Sequence, residues 1–167
     1  MTKSIIIFLL LLLLTTITEA QETKFFTWWK LAQVGTAFGS GYASGYADYY
    51  DMRKGDSTGQ EMTDFDKKYH RLQFVERSLL FSAGVTIPLN SKLKPAQTLS
   101  DVLLSGFTWG LAHTIGQNVA RDKPWLWQSE YQKKNNTGGF EQISYEWYAV
   151  GFFVTLALNY IVYELLL

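Results

Sequence analysis

The chain has 167 residues, with 15 basic and 15 acidic side chains that balance to no net charge. No global field therefore draws it to nucleic acid. It contains no cysteine, which excludes a disulfide framework, a thiolate nucleophile and a Cys-ligated zinc or iron–sulfur centre. Aromatic residues make up 16% of the chain, a content suited to membrane interfaces and packed helical cores alike.

Residues 1–20 read as a signal peptide. Lys3 supplies a positive start and Ile5 to Leu14 a ten-residue apolar run, while Thr18 and Ala20 place small residues before a cut at Gln21. An uncleaved anchor is the alternative reading of the same run. With the leader set aside, residues 21–167 are expected to form a single helical domain.

Four apolar segments follow, separated by polar connectors. The first, about 27–52, carries Gly35, Gly39, Gly41 and Gly45 among alanines. Glycines four apart share a helix face and let another backbone approach, so these positions are candidates for contact with a helical partner or a second copy. Residues 53–66 are rich in turn formers and are expected to be a loop. The second helix is expected from Asp66 to about Thr86, charged in its first half, apolar in its second, and ending before Pro88. A connector over 90–97 leads to the third helix, about 98–121 with Ser100 as its cap. Here Ser105, Trp109, His113 and Gln117, spaced by four, form one stripe.

Residues 121–144 form a long connector in which Trp125 and Trp127 are candidate interfacial anchors and Asn135-Asn136-Thr137 matches a glycosylation sequon. The last segment, Trp147 to Leu167, has one charge, Glu164, and about the length a helix needs to span a hydrocarbon core. If all four segments cross a bilayer after cleavage, ten Lys and Arg residues lie on the cytoplasmic side and four opposite, in line with the positive-inside rule. These features predict an all-α, four-helix membrane-associated bundle. It would be inserted through the secretory pathway into a bacterial cell envelope, with the lipid bilayer as its partner.

Polar groups inside such a bundle require partners. His113 and Asn159 are the deepest, and are expected to bond to each other or to Tyr42 or Tyr46. Asp48, Asp101 and Glu164 lie near predicted helix ends. Asp66 and His70, four apart, form either a surface ion pair or an oriented imidazole. Asp66, His70 and His113 are thus the candidate catalytic residues, and Asp101, Gln117, Asn118 and Asn159 the candidate binding residues. No HExxH or HxH pattern supports a metal site, no GxSxG surrounds Ser105, and no cofactor is expected.

The Asp66-Lys67-x-x-His70 start, followed by an apolar helix and a Gly-containing helix with polar residues near its end, resembles the VanZ-like and YfiM-like small membrane proteins. The resemblance covers about residues 66–121. His113, Gln117 and Asn118 stand in the region of that group's second polar motif, where its glutamate is absent. It implies a helical membrane architecture and no defined activity. Three functional readings follow from the sequence. The first is a structural or envelope role; the second is a membrane-embedded enzyme or lipid-binding protein with an interfacial Asp/His site; the third is a soluble periplasmic helical bundle.

Overall fold

The computed structural model describes residues 25–127 and 145–164. The predicted signal peptide, the sequon and residues 165–167 lie outside the described residues. Four helices account for most of the described chain: α1 (Trp28–Gly55), α2 (Gly59–Ser91), α3 (Pro95–Ala120) and α4 (Tyr145–Glu164). The all-α expectation is met.

The helix boundaries follow local chemistry. Thr27 caps α1, its hydroxyl accepting from the Lys30 N–H at 3.0 Å. The expected loop at 53–66 is a tight turn at 56–58, and residues 59–65 form the exposed first turns of α2. Polarity there marks a solvated helical face and no break in the helix. Pro88, expected to lie beyond the second helix, sits inside α2, which runs on to Ser91. The residue four before it is Gly84, so the carbonyl that loses its donor belongs to a residue with no side chain. Left-handed Lys92 and Leu93 then end the helix. Pro95 opens α3 at a first-turn position, where a missing N–H costs nothing, so the helix starts before the expected cap at Ser100.

α1 packs closely against both α2 and α3, while α4 packs on α3. Since successive helices reverse direction, α1 and α3 run parallel at the centre. Their contact is a backbone approach made possible by glycine. A Cβ at Gly41 would overlap the Trp109 carbonyl, one at Gly45 the His113 carbonyl, and one at Gly116 the Tyr42 carbonyl. The partner that Gly41 and Gly45 meet is thus a helix of the same chain. Gly39 faces the Leu79 side chain, and Gly35 faces open space. On the other side of α3, Gly110 receives the Tyr148 ring, while Gly151 of α4 receives the Phe107 ring.

The interior is built from small and polar residues. Among the described residues eight apolar side chains are buried, five of them alanines, and Leu104 is the one large aliphatic group. Gln33, Ser40, Thr108, Thr114, Asn118 and Asn159 are buried as deeply. Large apolar groups point outward instead, including Phe74, Leu80, Phe81, Leu89, Leu99, Phe153, Val154 and Leu158. No Asp, Glu, Lys or Arg occurs in 31–47, 78–91, 102–120 or 147–163. Among the described residues, however, no helix is long and apolar enough to cross a membrane, so hydropathy does not support the four crossings expected from the sequence.

The glycine contacts differ in how much they allow. Gly45→Leu must push α1 off the His113 backbone and is expected to cost about 1–3 kcal/mol. Gly35→Ala fills open space in a helix and should gain up to about 1 kcal/mol. Chemical denaturation followed by helical circular dichroism measures both.

Candidate functional site

Asp101 is the point at which all four helices meet. It lies in the second turn of α3 and is fully buried. Its Oδ1 accepts from the Lys30 ammonium of α1 and from Asn159 Nδ2 of α4, the latter at 2.7 Å. Its Oδ2 accepts from Asn90 Nδ2 of α2 at 2.9 Å and from the Tyr163 hydroxyl of α4 at 2.7 Å. The donors are themselves linked. Lys30 Nζ also donates to Asn159 Oδ1 at 2.8 Å, Asn159 Nδ2 to Ser100 Oγ at 2.9 Å, and Asn90 Nδ2 to the Tyr163 oxygen at 2.8 Å. The Thr27 hydroxyl donates to Asn90 Oδ1 at 2.6 Å.

Lys30 is 4% exposed. Its ammonium lies over the Tyr163 ring, 4.1 Å from the centroid, and near the Phe25 ring at 5.7 Å, so aromatic faces complete its shell where carboxylate and amide oxygens do not reach. The backbone N–H of Phe25 donates to Glu164, which ties the segment leading into α1 to the end of α4. One turn along α3, Gln33 Nε2 donates to the Asp101 carbonyl and to Ser105 Oγ, both at 2.9 Å. The cluster is charge-neutral and its carboxylate has a full set of donors, while Gln33 Oε1 is buried without a hydrogen-bond partner.

The other candidate residues are distributed differently from the expectation. Asp101 was expected at a helix end and is the centre of the cluster. Asn159 joins that cluster, whereas His113 lies three turns further along α3, so these two do not bond to each other. The partner of His113 is Asp48 of α1, with Nε2 and Oδ2 2.9 Å apart, at 24% and 48% exposure. The Trp109 ring stacks on the imidazole with centroids 5.2 Å apart. The Ser105–Trp109–His113–Gln117 stripe is therefore the face that α3 turns to α1. Asp66 and His70 form an exposed pair within α2 at 3.5 Å, remote in role from His113. Asp66 also accepts from Lys54 at 3.0 Å, a bond that holds the Lys54 ammonium above the ordinary lysine pKa. Asn118 is a structural clasp, its Nδ2 donating to the carbonyls of Trp125 and Trp127 at 2.9 Å each. The structure thus brings Asp101 and Asn159 together, but does not bring Asp66, His70 and His113 into one site. Among the described residues no group of His, Asp and Glu is placed to hold a metal ion.

Lys30, Asn90 and Tyr163 are absent from the sequence-based candidates. Lys30 adjoins Trp28 and Trp29 and counts in sequence as an outer flanking charge. The available signal is numerical: among Asp, Glu, Lys and Arg, residues 27–47 hold Lys30 alone and residues 98–120 hold Asp101 alone, and the signs are opposite.

Comparison with protein-family models, with characterised proteins and with solved structures finds no match to this chain.

Removing one partner of a buried pair strands the other charge. Lys30→Met should therefore cost about 3–5 kcal/mol. The double variant Lys30→Met/Asp101→Leu leaves no stranded charge and should recover much of the loss in the same denaturation assay. A double variant no better than the single one would show that the hydrogen-bond network, and not charge compensation, holds the helices.

Proposed function

We propose that this protein is a membrane-embedded helical bundle with a structural role in the cell envelope, held together by its internal ion pair. The observation that carries this reading is the inversion of burial. Proteins in water bury Leu, Ile, Val and Phe. This bundle buries Ala, Gly, Ser, Thr, Asn and Gln, and turns its large apolar side chains outward. Lipid removes the drive to hide apolar groups, so helices there associate through small residues and interhelical hydrogen bonds. A contiguous apolar exterior of this extent on a protein in water would promote aggregation.

The charge-free outward faces, Ser78 to Leu89 on α2 and Trp147 to Ile161 on α4, cover about 17 and 21 Å at 1.5 Å per residue, part of the roughly 30 Å of a hydrocarbon core. Hydropathy along each helix averages these faces with the inward ones, which carry Asn90 on α2 and Thr155 and Asn159 on α4. The polar residues that lower the average are those satisfied inside the bundle. The resemblance of residues 66–121 to VanZ-like and YfiM-like proteins favours the same reading.

The cysteine-free sequence permits a direct test. Phe81→Cys and Val154→Cys, introduced singly, should resist a membrane-impermeant maleimide in intact membranes. Thr63→Cys, on the exposed start of α2, should react with it once its side of the membrane is open. Ready labelling of all three positions, together with a monodisperse protein in detergent-free buffer, would replace this reading with a soluble helical bundle.

A further inference from the structure

One outward stripe of α2 changes character within a single turn. Read at helical spacing it runs Lys67, Arg71, Phe74, Ser78, Phe81, Val85, Leu89. Arg71, Phe74 and Arg77 are all exposed, so the basic band runs into the start of the apolar face, which is free of charge from Ser78 onward. The level of this boundary is shared across the bundle. Ser40 Oγ donates to the Glu76 carbonyl at 3.0 Å, Gly41 lies on the Trp109 backbone, and Gly110 receives Tyr148 near the start of α4. On one side of that level four helices present largely apolar exteriors, with exposed Arg77 of α2 at the boundary itself. On the other side α1, α2 and α3 continue, and they carry the charges.

Lys67, Lys68 and Arg71 stand within two turns of Phe74, with Asp66 beside them engaged by Lys54 and exposed Asp122 beside Lys123, whereas exposed Glu61 and Asp64 lie nearer the tip of α2. Lys123 lies beyond the end of α3, at the same end of the bundle. Aromatic rings support the cations. Lys68 Nζ lies 5.3 Å from the Tyr50 ring and 5.7 Å from the Phe65 ring, and Lys123 Nζ lies 5.4 Å from the Trp127 ring. Among the described residues Lys54 is the cation of this end that carboxylates engage, through Asp51 and Asp66. Lys67, Lys68, Arg71 and Lys123 form no ion pair there and retain their N–H donors for an external anion.

We propose that Lys67, Lys68, Arg71 and Lys123 form a contact surface for the phosphate headgroups of anionic phospholipids. This rests on the membrane-embedded reading and specifies which lipid the bundle selects. A basic band immediately beside an apolar face matches an anionic amphiphile, whose phosphate and acyl chains are joined in the same order. Paired cations would gain nothing from it, whereas each unpaired Lys or Arg near an anionic surface contributes attraction. The acidic tip, set further from the apolar face, stands clear of the phosphate layer.

The test uses the full chain in neutral detergent, mixed with equimolar phosphatidylglycerol and phosphatidylcholine, with retained lipids counted by native mass spectrometry. The wild type should retain phosphatidylglycerol over phosphatidylcholine by about fivefold or more. The variant Lys67→Gln/Lys68→Gln/Arg71→Gln/Lys123→Gln should retain the two equally while keeping its helical content. Glu61→Gln/Asp64→Asn should keep the preference. Equal retention by the wild type, or preference persisting in the neutralised variant, overturns the proposal. Displacement of the lipid by millimolar inorganic phosphate overturns it too, since the surface would then read a free anion. Cysteine labelling reports embedding independently, so an embedded protein without lipid preference defeats this inference alone.

Discussion

A single carboxylate organises the bundle. Asp101 of α3 accepts hydrogen bonds from side chains of α1, α2 and α4, so each other helix sends at least one donor to it. An ionised carboxylate out of water is costly unless a counter-charge and further donors replace its hydration. Lys30 supplies the charge; Asn90, Asn159 and Tyr163 supply the rest. The requirement is mutual, because each donor would otherwise be a buried polar group lacking an acceptor. The cluster thereby fixes which faces of four helices point inward at one end, something that non-directional packing of alanines and glycines does less well.

Along the remaining length, the contact between α1 and α3 is set by what is absent. Gly41, Gly45 and Gly116 remove the side chains that would hold the two backbones apart. The aromatic groups then seat on the flanks, with Tyr148 on Gly110 and Phe107 on Gly151. A bundle assembled in this way has few large apolar side chains left for its interior, so these occupy the exterior. Small interface residues, a carboxylate-centred polar cluster and an apolar outer surface are consequences of one packing scheme.

The candidate residues illustrate how far sequence reasoning reaches. The i, i+4 stripe from Ser105 to Gln117 follows from helical geometry, and it does face a neighbouring helix. Asp66 and His70 are likewise neighbours on one turn, as their spacing requires. Distance from a predicted helix end was a poor guide to depth. Asp101 lies only six residues into α3, yet it is fully buried because α1, α2 and α4 close around it. Assigning Asp48 to His113, or Lys30 to Asp101, needs the relative register of two helices separated in sequence by more than sixty residues, and local pattern carries no such information.

The sequence by itself determined that the chain is helical, where its charge-free segments lie and which of its glycines invite close approach, because these depend on neighbours within a few turns. It did not determine that α2 continues through Pro88 or that the polar 59–65 stretch is helical. Both outcomes depend on the length over which α2 lies along α1. Only the tertiary structure decided that small and polar groups face inward, and that Lys30, Asn90, Asn159 and Tyr163 converge on one carboxylate. Burial and pairing are properties of how helices are placed against one another, and a side chain's chemistry states what it requires without stating which distant residue will meet the requirement.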